Sequence, residues 1–137
     1  MSKVSDLIVD TIFKDVLLEL KYNDLQTGDL LFFCDTKIWY NRVIDWATNS
    51  DFCHIGMVVK NPNFSGKQYN GLYVIHSTSG ELLDIEDNKH KLGVQLTKFV
   101  DTIKQYESVF IRRLTTNRNT EFYKKLDHAH TLVRDIP

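Results

Sequence analysis

Two histidines lie where strand-like runs meet polar turns. His54 opens an apolar, β-branched run after the polar turn Ser50-Asp51, and His76 closes Leu72-Tyr73-Val74-Ile75-His76 ahead of Ser77-Thr78-Ser79-Gly80. Two imidazoles on neighbouring strands can act as a base and its orienting partner, because a neutral base must accept at one ring nitrogen while the other donates. Such a pair serves a nucleophile. On period-2 alternation His54, Gly56 and Val58 share one face and Cys53, Ile55 and Met57 the other. Cys53 is therefore expected to point away from His54, the wrong geometry for nucleophile and base. Gly56, one step along from His54, is expected to leave room for another backbone or a ligand.

Each histidine also has a plain structural reading: His54 as a hydrogen-bonded core residue, His76 as a solvent-exposed strand end. A metal site is the rival chemical use, and His54, His76, Asp51 and Glu81 can be assembled for it on paper. No His-Glu-x-x-His or His-x-His strand pair supports that set, and His128 and His130 sit two apart on an expected helix, where they diverge. Cys34 ends a strand rich in Leu and Phe and reads as a buried apolar cysteine. A reactive thiol usually sits at a helix N-terminus, and neither Cys34 nor Cys53 is expected at one. Lys124-Lys125 and Arg112-Arg113 read as solvated charge.

The elements that must position these residues follow from periodicity. Residues 5–21 read as an amphipathic helix capped by Ser5, with Ile8, Ile12, Val16 and Leu20 every four residues and Phe13 and Leu17 widening the stripe. Gly28-Asp29 opens a strand to Cys34. A second helix is expected over 37–48, carrying Ile38, Trp39, Arg42, Val43, Trp46 and Ala47, and ended by the turn Thr48-Asn49-Ser50-Asp51. Strands follow near 54–60 and 71–77, joined by the loop Asn61 to Gly66. Short strands are expected at 82–85, 94–96 and 109–111. A last helix spans 120–134, with Phe122, Leu126, Ala129 and Val133 on one face. Helix, antiparallel strands and helix in that order imply an α+β fold.

Composition narrows the partners. The 137 residues suit one domain, and 42% hydrophobic with 26% charged residues suits a packed core rather than disorder. With 17 basic against 18 acidic residues, net −1, and no basic–aromatic stripe, nucleic acid is a poor fit as partner. Two cysteines make no disulfide framework, which suits a reducing compartment. The N-terminal segment is broken by Asp10, Lys14, Asp15 and Glu19, so no signal-peptide core and no membrane-spanning run is expected, and the location reads as cytoplasmic.

Three runs carry a family resemblance. Leu25-x-x-Gly28-Asp29-Leu30-Leu31-Phe32, then Ala47 to Val59 with Cys53-His54-Ile55-Gly56, then Tyr73-Val74-Ile75-His76 resemble the circularly permuted papain-like enzymes of the NlpC type. The YiiX-like branch is nearest, the lecithin retinol acyltransferase-like branch further off. The resemblance spans about residues 25–134. It implies a permuted papain-like fold, with a small antiparallel sheet or half-barrel and flanking helices. It maps the general base onto His54 and the third polar residue onto His76, with no cofactor. The family's nucleophilic cysteine follows the last helix, and no cysteine follows Cys53 in this sequence. The resemblance therefore implies a single domain, 1–137, without its nucleophile-bearing C-terminal segment, or a short member that has lost the chemistry. The expected function is a cysteine hydrolase or acyltransferase acting on a peptide, a cell-wall-type amide or a lipid ester, with 1–137 alone inactive. A binding or interaction module without turnover, on the same fold, is the alternative.

Overall fold

Apolar strands covered on both faces build the sheet. In the computed structural model, which describes residues 3–34, 54–134 and 136–137, five strands lie in the order β6-β5-β2-β1-β7, all neighbours antiparallel. They are β1 (Leu30–Cys34), β2 (His54–Lys60), β5 (Leu72–Thr78), β6 (Gly93–Lys98) and β7 (Ser108–Arg112). Among the described residues three helices accompany them: α1 (Lys3–Lys21), the short α2 (Phe99–Ile103) and α3 (Thr120–Val133). The fold is α+β, and the described strands form an open sheet, not a closed barrel.

Each face of the sheet has its own cover. On the inner face Leu31 and Phe33 of β1, Val58 of β2, Leu72 and Val74 of β5, and Phe99 of α2 form one buried cluster, against which Leu18 and Tyr22 of α1 pack. On the outer face Val59, Tyr73 and Leu96 pack with Phe64 and with Leu126 of α3. Phe64 belongs to a small hairpin, β3 (Asn63–Phe64) with β4 (Lys67–Gln68), inside the segment expected to be a loop. Ser65 and Gly66 both take positive φ, 53° and 79°, the conformation that closes a tight two-residue hairpin.

Several expectations are corrected. The first helix starts at Lys3, so Ser5 lies within it and is not its cap. Its Ile12, Val16, Leu20, Phe13 and Leu17 stripe is about half exposed or more. The helix is seated by Leu18 and Tyr22 instead, with the Glu19 carboxylate accepting from the Leu72 amide at 3.1 Å. That acceptor satisfies an amide at the start of β5. Residues 82–85 form no strand; Asp84 makes an isolated bridge with Lys89, and the Ile85 amide donates to the Leu96 carbonyl at 2.9 Å. On α3 the inward line is Phe122, Leu126 and buried His130, while Ala129 and Val133 face out. The Asn119 side chain caps this helix, accepting from Phe122 N at 3.0 Å. The helix expected over 37–48, the turn after it, Asp51 and Cys53 lie outside the described residues.

A buried carboxylate ties β1 to the approach to α3. Asp29, 1% exposed, accepts from the amides of Gln26 and Leu114 at 2.9 Å each. It also pairs with Arg118 at 3.2 Å and Arg113 at 3.5 Å. Arg113 is thus a partner of Asp29 and Asp24, not idle surface charge. The preceding Gly28 has φ 97°, and a Cβ there would meet the Leu114 side chain at 2.4 Å. The positive φ is what calls for glycine here, since the exposed end of the Leu114 side chain can move aside.

Candidate active site: a histidine dyad

Strand register brings the two histidines together. In the β2–β5 pairing Met57 faces Ile75 and Val58 faces Val74, so His76 falls across from Gly56 and diagonal to His54. Alternation puts both imidazoles on the inner face. His54 Nε2 lies 2.8 Å from His76 Nδ1, a direct hydrogen bond.

Gly56 leaves room for Val74 beside the pair. A Cβ built there would lie 2.6 Å from Val74 Cγ1 and 3.5 Å from both His76 Cβ and the Phe33 ring. The space beside Gly56 is thus filled by protein side chains, where the sequence suggested another backbone or a ligand. Gly56→Ala is expected to cost about 1–3 kcal/mol through overpacking and to push Val74 away from β2, shifting its same-face neighbour His76 with it. Urea denaturation, with His76 ring resonances followed by NMR, checks both. An unchanged unfolding midpoint would contradict the packing argument.

Aromatic rings hold His54 from its own side. Phe33, its partner across the β1–β2 ladder, lies 5.6 Å from it between centroids, and Tyr106 stacks on it at 5.6 Å with ring planes 6° apart. Tyr106 also stacks on Phe33 at 4.4 Å. His76, 4% exposed, reaches the other way: its Nε2 lies 2.7 Å from Thr97 Oγ1 on β6. Thr97 Oγ1 lies 2.6 Å from Thr102 Oγ1 on α2. Sequence reasoning missed Tyr106, Thr97 and Thr102.

Burial sets the charge state. Loss of hydration pushes the His76 pKa down to about 3, the His54 ring adding to the fall and the Glu81 carboxylate opposing it. His54 is lowered too, again by burial first and against Glu81. Both rings are therefore neutral at pH 7, the state a base requires. Glu81 is exposed, and its own pKa is lowered chiefly by a hydrogen bond from the Ser79 hydroxyl.

Other candidate residues are not part of this cluster. Cys34 is half-buried, not buried, and shares its face of β1 with Leu30 and Phe32, opposite to Phe33 and hence to His54. His130 is a structural clamp: 2% exposed, stacked on Phe64 at 4.1 Å and 2.5 Å from Glu86 Oε1. His128 is exposed. No group of three His, Cys, Asp or Glu among the described residues is arranged to hold a metal ion. No described helix is long and apolar enough to cross a membrane. A cavity of about 330 Å³ is lined by Thr97 at the end of the dyad and by Glu81, Leu82, Leu83, Ile85 and His90, among others. No family model, no curated protein and no solved structure matches the chain.

Proposed function

We propose that this chain carries the base-and-orienter half of a cysteine hydrolase or acyltransferase of the permuted papain-like type. The observation that carries the reading is the 2.8 Å contact between His54 Nε2 and His76 Nδ1 on adjacent strands, with both rings neutral. A base with one nitrogen committed to an orienting imidazole keeps the other for a nucleophile. In the full reaction His54 takes the proton of a cysteine thiol, and the thiolate attacks an amide or ester carbonyl. The proton then passes to the leaving amine or alcohol as its bond to the acyl carbon breaks. Water, deprotonated by His54, cleaves the thioester and regenerates the thiol. The cavity beside Thr97, with Leu82, Leu83 and Ile85 in its wall, suits an apolar acyl or side-chain group.

A binding module without turnover is the second reading, and the placement of Cys34 on the opposite face favours it. Peptide, amide and ester substrates assayed with 1–137 separate the two. Thiol-dependent turnover by 1–137 is expected to be absent, and Cys34 and Cys53 should react with a thiol probe no faster than a free model thiol. A natural chain extended by a downstream cysteine is expected to show iodoacetamide-sensitive turnover. An extended chain of that kind with no turnover favours the binding module. Rapid, His54-dependent labelling of Cys53 would show that the nucleophile had been misassigned.

A further inference from the structure

We infer that Thr97 and Thr102 are positioning residues: a hydroxyl relay anchored on the Lys98 carbonyl keeps the His76 proton on Nε2 and its lone pair on Nδ1, aimed at His54. The direction follows from the one member of the relay that cannot donate, the Lys98 carbonyl. The Lys98 carbonyl oxygen lies 2.7 Å from Thr102 Oγ1 and must accept, so the Thr102 hydroxyl proton points to it. This is the usual bond of a helical threonine to the carbonyl four residues back. Thr102 has one proton, so it accepts from Thr97 at 2.6 Å. Thr97 has then spent its own proton, and at 2.7 Å it accepts from His76 Nε2–H.

Burial makes the relay decisive. Thr97 is 1% and Thr102 0% exposed, so bulk water does not compete for either hydroxyl. Reversing the relay would turn the Thr102 proton away from the Lys98 carbonyl and leave that acceptor without its hydroxyl donor, a cost comparable to an unmade hydrogen bond. A neutral His76 with its proton on Nε2 accepts at Nδ1, so the bond at 2.8 Å is donated by His54 Nε2–H. His54 is then left with its lone pair on Nδ1. Four side chains and one carbonyl thus decide which atom of His54 can take a proton. The value of this for catalysis rests on the base-and-orienter reading; the proton positions do not.

Long-range ¹H–¹⁵N correlation of the imidazole nitrogens in ¹⁵N-labelled 1–137 at pH 7.5 tests the relay without any activity. The expected pattern is N–H at Nε2 and an acceptor-type Nδ1 in both His54 and His76. Wild-type protein with the His76 proton on Nδ1 overturns the proposal, and this measurement needs no variant to fold. Thr97→Val removes the acceptor and is expected to shift the His76 tautomer ratio about tenfold or more toward Nδ1–H. Thr97→Ser is expected to restore the wild-type pattern. Thr102→Val lets the Thr97 proton turn toward His76 and is expected to give a smaller shift in the same direction. A folded Thr97→Val protein with an unchanged His76 tautomer would show that Thr97 only fills space, and would also overturn the relay. A chain that proves to be a binding module would still show the wild-type pattern, so loss of the functional reading and loss of the relay are separate results.

Discussion

His54→Ala in a cysteine-bearing form of this protein is expected to lower kcat/KM by about 10²–10⁴, the usual contribution of a positioned general acid–base. The loss falls on kcat, because the proton moves only in the transition state and substrate contacts are unchanged. His76→Ala is expected to cost less, since in the proposed reading His76 orients the base and does not itself take the proton. It also unlocks the ring: His54 keeps its stacking on Tyr106 and Phe33 but loses the bond at 2.8 Å that selects its tautomer. Steady-state kinetics of the two variants on the best ester or amide substrate check the order. A His76→Ala loss larger than that of His54→Ala would reverse the assigned roles.

Asp29→Ala is expected to be the most damaging single change to stability. It removes a carboxylate that is 1% exposed, leaves the Gln26 and Leu114 amides without their acceptor, and takes the countercharge from Arg118, whose guanidinium keeps its bonds to the Thr27 and Leu114 carbonyls. Removing one member of a buried ion pair typically costs about 3–5 kcal/mol, a large share of the roughly 5–15 kcal/mol by which a domain is stable. The half-exposed Arg113 contributes little to that figure, because solvent screens it. Thermal and urea unfolding of Asp29→Ala against Arg113→Ala measure the contrast. A loss under about 1 kcal/mol for Asp29→Ala, the level of an ordinary surface pair, would contradict the account.

The dyad was legible in the sequence because β-structure writes itself in period two. Burial alternates cleanly only in Leu30–Cys34, while Leu72, Tyr73 and Val74 are buried in a row, so faces follow from counting by twos along each strand, and the common face of His54 and His76 depends on the register that sets Val58 against Val74. The supporting residues were harder to see. Thr97 reaches His76 only through the β5–β6 register, where Gln95 faces His76 and Thr97 faces Val74. Thr102 and Tyr106 depend on α2, five residues long and too short to leave a helical period. The first helix was legible as a helix but not in its orientation. Its apolar stripe suggested one buried face, whereas Leu18, Tyr22 and the Glu19 carboxylate seat it on another. His130 was masked in the same way, since Ala129 and Val133 completed an apolar line that the structure leaves exposed. The Ser65-Gly66 hairpin lacks the Asn-Gly signal, and its strands are two residues each.

The central claim is that His54 is a base kept neutral and oriented by His76, and an NMR titration of the two imidazoles in 1–137 tests it most directly. An unperturbed histidine is half-charged near pH 6.5. With the His76 pKa pushed down to about 3 and that of His54 also lowered, both rings should remain mostly uncharged at pH 6.5. His54→Ala should raise the His76 midpoint, because one source of its depression is gone. The sign for stability follows: below pH 6.5 the unfolded chain takes up a proton at His76 that the native state refuses. Stability should therefore fall by up to about 1.4 kcal/mol per pH unit from this one ring as pH drops from 6.5 toward 3. Two independent midpoints near 6.5, unaffected by mutation of the partner, would contradict the account.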